Sequence, residues 1–401
     1  MEDLGTSAPR RETRGDRARV TVDVSGLDPL WFEVDAVFDP LLSERSDHVA
    51  ISLLMPAMQA GRALHVGGVV TDVLLHQLNH DLQSLLRSVR PGLNRVTVSA
   101  DDVAPPAAPA SGVSTGFSGG VDSLTAIRTY MLDDDVPTAL RVTHLTNHNV
   151  GSHGTGGEAL WRARCEPLAA AAADWGVPFV GVNSNLDAHY PRIGFLQSVS
   201  IRNAAVPHLL GAGIGRAHHA SAQPFERVEV GGHGDIALVD TMLLPLLSTP
   251  AVTLSSANSG TSRMDKTIAL IGRTEARYLD VCIDMRTNDR RNCGRCGKCL
   301  RTMLTLEIAG ELDTFIPQVF PLGPYLEHRD AFIAQVLGRD DPFAQDIRAL
   351  AAARGWRFGS RAYGRAATVR VADVATGAAT HLRRRAGATA AGRLAKRMLR
   401  R

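Results

Sequence analysis

Four of the five cysteines fall within eighteen residues: Cys282, then Cys293-Gly294-Arg295-Cys296-Gly297-Lys298-Cys299. Two Cys-x2-Cys steps share Cys296, and four thiolates at such spacing suit a tetrahedral Zn²⁺ with no open position, a structural centre rather than a catalytic one. Gly294 and Gly297 free the backbone to turn the sulfurs inward, and Arg295 and Lys298 offset the negative charge of four thiolates. An iron–sulfur cluster is one alternative for four cysteines, and unrelated reduced cysteines are another. Cys165, in an alanine-rich helical stretch, reads as a small core residue.

A second segment carries different chemistry. The apolar run ending at Phe117 leads into Ser118-Gly119-Gly120-Val121-Asp122-Ser123 and then a helical pattern. Two glycines allow a tight turn and a close approach of backbone to ligand, and the helix start offers free amides and a positive dipole end, a phosphate site. Ser118 and Ser123 add hydroxyl donors. Asp122 repels a phosphate directly, so its expected task is to hold a Mg²⁺ that bridges phosphates. The plain alternative is a Gly-Gly turn capped by Ser and Asp. No Gly-x4-Gly-Lys-Ser/Thr occurs, and Gly211-Ala-Gly-Ile-Gly215 follows a helix and precedes a strand, the wrong order for a dinucleotide fingerprint.

Further candidates are single residues. The chain has three lysines among 44 basic residues, and Lys266 opens a helix in Ser262-Arg263-Met264-Asp265-Lys266, within reach of a polyphosphate or else on a solvated face. Asp240 orients a substrate or simply sits on a helix face. His148, His153, His218, His219 and His233 lie in loops or at strand ends, where acid–base work near neutral pH is open to one or two of them.

These residues need a scaffold. From 111 onward strand and helix patterns alternate, the signature of a parallel sheet with crossover helices. Strands are predicted at Val113–Phe117, Leu140–Leu145, Phe179–Asn183, Arg216–Ser221 and Ala251–Ser255. Helices are predicted at Val121–Leu132, Glu158–Ala173, Val199–Leu210, Val239–Leu247, Ser262–Ile271 and Lys298–Ala309. Before the linker Pro105–Ala110, residues 18–104 read as a small α+β domain, with strands at Arg19–Val24, Leu30–Val37 and Val96–Ser99 and helices at His48–Met58 and Asp72–Val89. Residues 1–17 are charged and predicted to be disordered. Residues 313–380 read as a mostly helical extension and 381–401 as a basic tail.

Ser-Gly-Gly-Val-Asp-Ser after an apolar strand resembles the PP-loop of the ATP pyrophosphatase family. That resemblance implies a doubly wound, adenine nucleotide alpha hydrolase-like sheet and cleavage of ATP between its α and β phosphates, with AMP passed to a substrate oxygen. The cysteine knuckle with a lone upstream cysteine is closest to the 7-cyano-7-deazaguanine synthases of that family. Ser200-Ile-Arg202-Asn203 resembles their segment beside the nucleotide, which implies that Arg202 assists and Asn203 binds there, and Leu279-Asp-Val-Cys282 resembles their strand into the first zinc ligand. The resemblance covers about half the chain, 113–312. The loops Thr146–His153, His218–Gln223 and Gly232–Asp235 depart from the family pattern, so nucleotide and zinc transfer and the deazaguanine substrate does not.

Composition sets the limits. Hydrophobic residues make up 44% and charged residues 21% of 401, a globular balance, and no apolar run reaches a membrane span. Taking the eight positive charges after Thr380 from the net +3 leaves the body at −5, which argues against a large nucleic-acid substrate, while the basic tail, a solvated extension in its plain reading, keeps contact with nucleic acid or an acidic partner open. The expected protein is a cytoplasmic, homo-oligomeric, ATP-dependent ligase. It adenylates a small-molecule carboxylate, a deazaguanine-type base among the candidates, and joins it to an amine or ammonia as amide or nitrile. Its expected catalytic groups are Asp122, Lys266 and Arg202; Ser118–Ser123 and Asn203 bind ATP; a macromolecular acceptor or protein partner would meet the N-terminal unit. The alternatives are a tRNA or nucleobase thiolase fed by an external sulfur donor, and a degenerate nucleotide-binding module.

Overall fold

A computed structural model describes residues 3–154, 156–232, 234–283, 292–360 and 362–366. His233, the stretch 367–380 and the basic tail 381–401 therefore lie outside the described residues. The chain divides into two compact units, one running through Val281 and one from Cys282 onward. The fold is mixed α/β, with parallel strands and a helical C-terminal region. No described helix is long and apolar enough to cross a membrane.

In the first unit the strands are β1 (Leu4–Gly5), β2 (Arg10–Arg14), β3 (Arg17–Val22), β4 (Leu30–Asp35), β5 (Leu64–Thr71), β6 (Val98–Ala104), β7 (Gly112–Gly116), β8 (His144–His148), β9 (Phe179–Ser184), β10 (Ile214–Ala220) and β11 (Thr253–Ala257). The helices are α1 (Asp47–Ala60), α2 (Asp72–Asn79), α3 (Asp81–Val89), α4 (Val121–Ile127), α5 (Glu158–Asp174), α6 (Val199–Leu209), α7 (Asp240–Leu247) and α8 (Arg263–Ala269). A π-helical turn, Arg128–Leu132, prolongs α4. The eight-stranded sheet runs β11-β10-β7-β8-β9-β4-β3-β2. Its first five strands are parallel. The chain moves outward from β7 through β8 to β9, then returns to the other flank of β7 for β10 and β11.

Two expectations change here. Residues 18–104 do not stand apart, because β4 pairs antiparallel with β9 (Phe32 opposite Ser184, Glu33 opposite Asn183) and carries the same sheet onward through β3 and β2. Asn185 fastens that seam, accepting from the Trp31 amide at 2.9 Å and donating to the Pro29 carbonyl at 2.8 Å. The polar stretch 10–14 is likewise ordered as edge strand β2. It is joined to β3 by the two-residue turn Gly15-Asp16, with Gly15 at φ +60° as such turns favour. No apolar alternation marks it because every residue of β2 is exposed; ladder hydrogen bonds and ion pairs such as Arg10–Asp23 hold it. A smaller parallel sheet, β1-β5-β6, uses the rest of the N-terminal strands, and the predicted helix 72–89 breaks at His80 into α2 and α3.

The second unit contains α9 (Gly297–Ala309), α10 (Leu322–Gly338) and α11 (Pro342–Ala353). Met303, Leu304, Leu306, Phe320, Tyr325 and Ile347 are buried at its core. Glu307 on α9 accepts from Arg329 Nε at 2.7 Å and from the Tyr325 hydroxyl, which pins α10 to α9.

Phe32, 2% exposed on the joining strand, tests whether the first unit is one body. Phe32→Ala should cost about 3–5 kcal/mol, and urea unfolding of single-tryptophan variants reporting at Trp31 and at Trp175 should share one midpoint. Separate midpoints would show that the N-terminal strands fold alone.

Candidate functional site

The glycine loop leaves the carboxyl end of β7, the strand between β8 and β10 where the chain reverses its direction across the sheet. Its backbone is fixed from both sides. The Phe117 amide donates to the Thr146 carbonyl at 2.7 Å, and Asn147 Nδ2 donates to the Phe117 carbonyl at 2.7 Å. Gly119 has φ +76°, and a Cβ there would lie 3.0 Å from the Tyr278 carbonyl oxygen and 3.1 Å from the Asp280 Cβ, so the position needs glycine twice over. The Asp280 amide donates to the Gly119 carbonyl at 2.7 Å. Residues 279–281 are thus laid along the loop, and 279–282 do not form the predicted strand. Ser118 Oγ lies 3.2 Å from Ser123 Oγ, and Ser123 Oγ donates to the Gly120 carbonyl at 2.9 Å, closing the turn onto α4. Val121, the first residue of that helix, is buried beneath it.

Asp122 projects from the first turn of α4 to two cations of α8. Arg263 Nε donates at 3.3 Å and its Nη2 reaches the other carboxylate oxygen, while Lys266 Nζ stands 3.7 Å away. Lys266 is 1% exposed and donates to the Ser221 carbonyl at 2.6 Å. Burial lowers its pKa, partly offset by Asp122. A carboxylate matched to a guanidinium and an ammonium is a poor donor set for Mg²⁺, which demands several oxygen ligands. The expected metal-holding role of Asp122 therefore gives way to another: the carboxylate fixes the two cations. Arg263 was not among the sequence candidates, although its three-residue offset from Lys266 puts both on one helix face.

Arg202 also changes role. It is 1% exposed, and its guanidinium donates to Ser198 Oγ (2.8 Å), the Val150 carbonyl (3.0 Å), Asp187 Oδ1 (2.6 Å) and the Ile193 carbonyl (3.3 Å), with the Tyr190 ring 4.0 Å away. A group so engaged clamps three segments and is not placed to assist a ligand. Its neighbour Asn203 donates to the Val199 carbonyl and accepts from His148 Nδ1 at 2.9 Å. His148 Nε2 in turn accepts from Thr146 Oγ1 at 2.9 Å, and burial pushes the His148 pKa down to about 4, so the ring is neutral with Nδ1–H facing Asn203.

Of the remaining histidines, His218 is a core residue. It stacks on Tyr130 with centroids 4.2 Å apart, and its ring nitrogens bond Ser255 Oγ and the Leu140 carbonyl. His153 lies beside Ser152 in the loop after β8. His219, one residue on from His218, is 26% exposed and sits 3.4 Å from Asp240, which is 2% exposed at the start of α7.

In the second unit the four sulfurs of Cys282, Cys293, Cys296 and Cys299 lie within 4.8 Å of one another. Cys293 and Cys299 are 4.0 Å apart, against about 3.8 Å for thiolates around a tetrahedral zinc with bonds near 2.3 Å. The four cysteines form a metal site compatible with zinc. The Cys296 amide points at Cys293 Sγ (3.3 Å). Cys296 caps α9, and Cys299 lies in its first turn, where the positive helix end favours thiolate. Gly294 has φ +70°, and a Cβ there would lie 2.9 Å from the Pro321 carbonyl oxygen. Arg295 and Lys298 are exposed beside the sulfurs. Cys165 stands apart, its thiol pushed by burial to about 12.

Comparison with family models, curated proteins and solved structures finds no match to this chain.

Two measurements check these roles. Arg202→Met removes the charged donor to Asp187 and the hydrogen bonds to the Val150 and Ile193 carbonyls and should cost about 3 kcal/mol in urea unfolding; unchanged stability would return Arg202 to the ligand. Elemental analysis should find about one zinc per chain, falling away in Cys296→Ser together with the helical signal of α9. Folded protein without metal would refute the site.

Proposed function

We propose that the chain is an ATP-dependent carbon–nitrogen ligase of the PP-loop type, which releases AMP and pyrophosphate. The observation that carries this reading is the pair of cations, Arg263 and Lys266, set against the glycine loop through Asp122. Strand order reverses at β7, and in doubly wound sheets of the adenine nucleotide alpha hydrolase-like kind, ligands bind at the carboxyl ends of strands beside such a reversal. The loop sits there. A triphosphate needs amide donors and positive charge. The amides of Val121–Ser123 at the start of α4 supply the first, joined by the Ser118 and Ser123 hydroxyls once they turn from their contacts within the loop, and Arg263 and Lys266 supply the second. Lys266 Nζ spends one of its three donors on the Ser221 carbonyl and stands 3.7 Å from Asp122, which leaves a donor for a phosphate oxygen.

On this reading, a substrate carboxylate attacks the α phosphorus and takes AMP. Pyrophosphate departs into the loop, where donors already in place stabilise the charge that develops on it. An amine or ammonia then displaces AMP to give an amide, and a second activation of that amide would lead to a nitrile. The resemblance to the 7-cyano-7-deazaguanine synthases makes a carboxylated deazaguanine the first acid to try. Four cysteines share one cluster and the fifth has a thiol held protonated near neutral pH, which argues against sulfur transfer through a persulfide of this chain.

Incubation with ATP, 7-carboxy-7-deazaguanine and ammonium chloride should yield AMP and pyrophosphate in equal amounts. Lys266→Ala should slow pyrophosphate release by about 100-fold or more, with the fold intact by circular dichroism. Products of ADP and orthophosphate would overturn the reading.

A further inference from the structure

Asp240 is a buried carboxylate whose two oxygens have no well-formed hydrogen bond among the described residues, and a charged group it faces is His219 Nε2 at 3.4 Å. An unpaired buried carboxylate is costly, so this arrangement is one the fold supports only with the imidazole turned to it. His219 is at the end of β10, one residue past the pairing of His218 with Thr115 on β7, and beside Ser256 on β11. Its neighbour across the sheet is thus Gly116, at whose missing side chain nothing lies within 4 Å. Thr146, paired with Gly116 from β8, and His148 line the far side of that gap. Loop, cations and gap share one end of three adjacent strands.

We propose that His219, oriented by Asp240, accepts the proton of the attacking nitrogen in the aminolysis step at this site. The inference rests on the ligase reading above. With Nε2–H toward Asp240, Nδ1 carries the lone pair. The amine nitrogen bonds to the acyl carbon of the adenylate, the bond from that carbon to the phosphate oxygen breaks, AMP leaves as its anion, and the nitrogen's proton passes to Nδ1. Asp240 stabilises the imidazolium so formed and fixes the ring's tautomer, as the carboxylate does in a Ser-His-Asp triad. Asp240 is accordingly a positioning residue.

The surrounding charges agree. Burial alone would lower the His219 pKa, but Asp240 and then Asp122 outweigh it and the pKa is raised. The groups facing this corner are Asp240 on α7, Asp235 just before it, Asp122 on α4, Arg263 and Lys266 on α8, and neutral His148 on β8. A raised imidazole pKa favours the protonated state that the transfer produces. His219 is therefore a stronger base than a solvated histidine, active once the pH exceeds that raised value. Asp240→Asn removes the main support and should make the ring a weaker base that is neutral at lower pH.

Two half-reactions on the full chain separate the possibilities, with 7-carboxy-7-deazaguanine as acid and ammonium chloride as nitrogen source. ATP–pyrophosphate exchange reads adenylation; ammonium-dependent product formation reads aminolysis. His219→Gln should hold exchange within about threefold of the unaltered protein and slow aminolysis by about 100-fold. For Asp240→Asn, the aminolysis rate relative to the unaltered protein should fall as pH rises from 6 to 9. This ratio cancels the titration of ammonia itself. Equal loss of both half-reactions in His219→Gln, or loss of neither, overturns the inference and leaves the ligase reading standing. A pH-independent Asp240→Asn ratio also overturns it. Absence of exchange in the unaltered protein overturns the ligase reading and this inference with it.

Discussion

One carboxylate, Asp122, is the hinge of the candidate site. It is carried on the first turn of α4 and holds Arg263 and Lys266 of α8 against the glycine loop. Without it, two cations would crowd one corner of the unit with their closest counter-charge gone, one of them 1% exposed. The pairing costs desolvation of three charges, and the gain from a close ion pair offsets that only with good geometry. Here the geometry comes from the sheet: β7 delivers the loop, α4 fixes the carboxylate, and the end of β10 offers the Ser221 carbonyl to Lys266. A polyanion arriving at this end of the strands meets cations already oriented, so little reorganisation remains to oppose binding.

The buried polar groups around it divide into those that are satisfied and those that are not. Arg202 spends its guanidinium on a side-chain hydroxyl, a carboxylate and two carbonyls and is stacked on Tyr190. His218 uses both nitrogens, and His148 is locked between Asn203 and Thr146. These groups give the strand ends a single arrangement, because a half-made network in a low-dielectric interior would be costlier than none. Asp240 breaks the pattern. A buried carboxylate left without a well-formed hydrogen bond is the kind of local expense that a structure tolerates where the group has a task.

The sequence was most legible where chemistry constrains several residues at once. The cysteine spacing announced a cluster, and the four sulfurs do converge. The strand-then-glycines pattern located the loop, and the alternation after 111 gave the parallel strands and their helices to within a few residues. What stayed hidden was set by pairing over long sequence separation. Nothing in residues 30–35 says that their partner is β9, some 150 positions away, and an edge strand such as 10–14 has no buried face to leave a pattern. Among site residues, Arg202 misled because a buried structural arginine and a ligand-binding one look alike in one dimension. The pairing of Arg263 with Asp122 spans 141 positions and has no local signature.

The choice of lysine at 266, in a chain that otherwise uses arginine for nearly every cation, follows from the same packing. The position is closed to solvent, with one carbonyl and one carboxylate oxygen near the charge. A guanidinium brings five donors in a rigid plane, and in so narrow a space several would be left unpaired at a cost of about 1–3 kcal/mol each. An ammonium brings three, compact and rotatable, so one can serve the Ser221 carbonyl while another turns to a ligand. Arg263, with its side chain 19% exposed, has room for the planar fork and makes the two-pronged contact with Asp122. The two cations thus split the work that the carboxylate organises: one braces it through a fork at the rim, the other keeps a donor in reserve beneath.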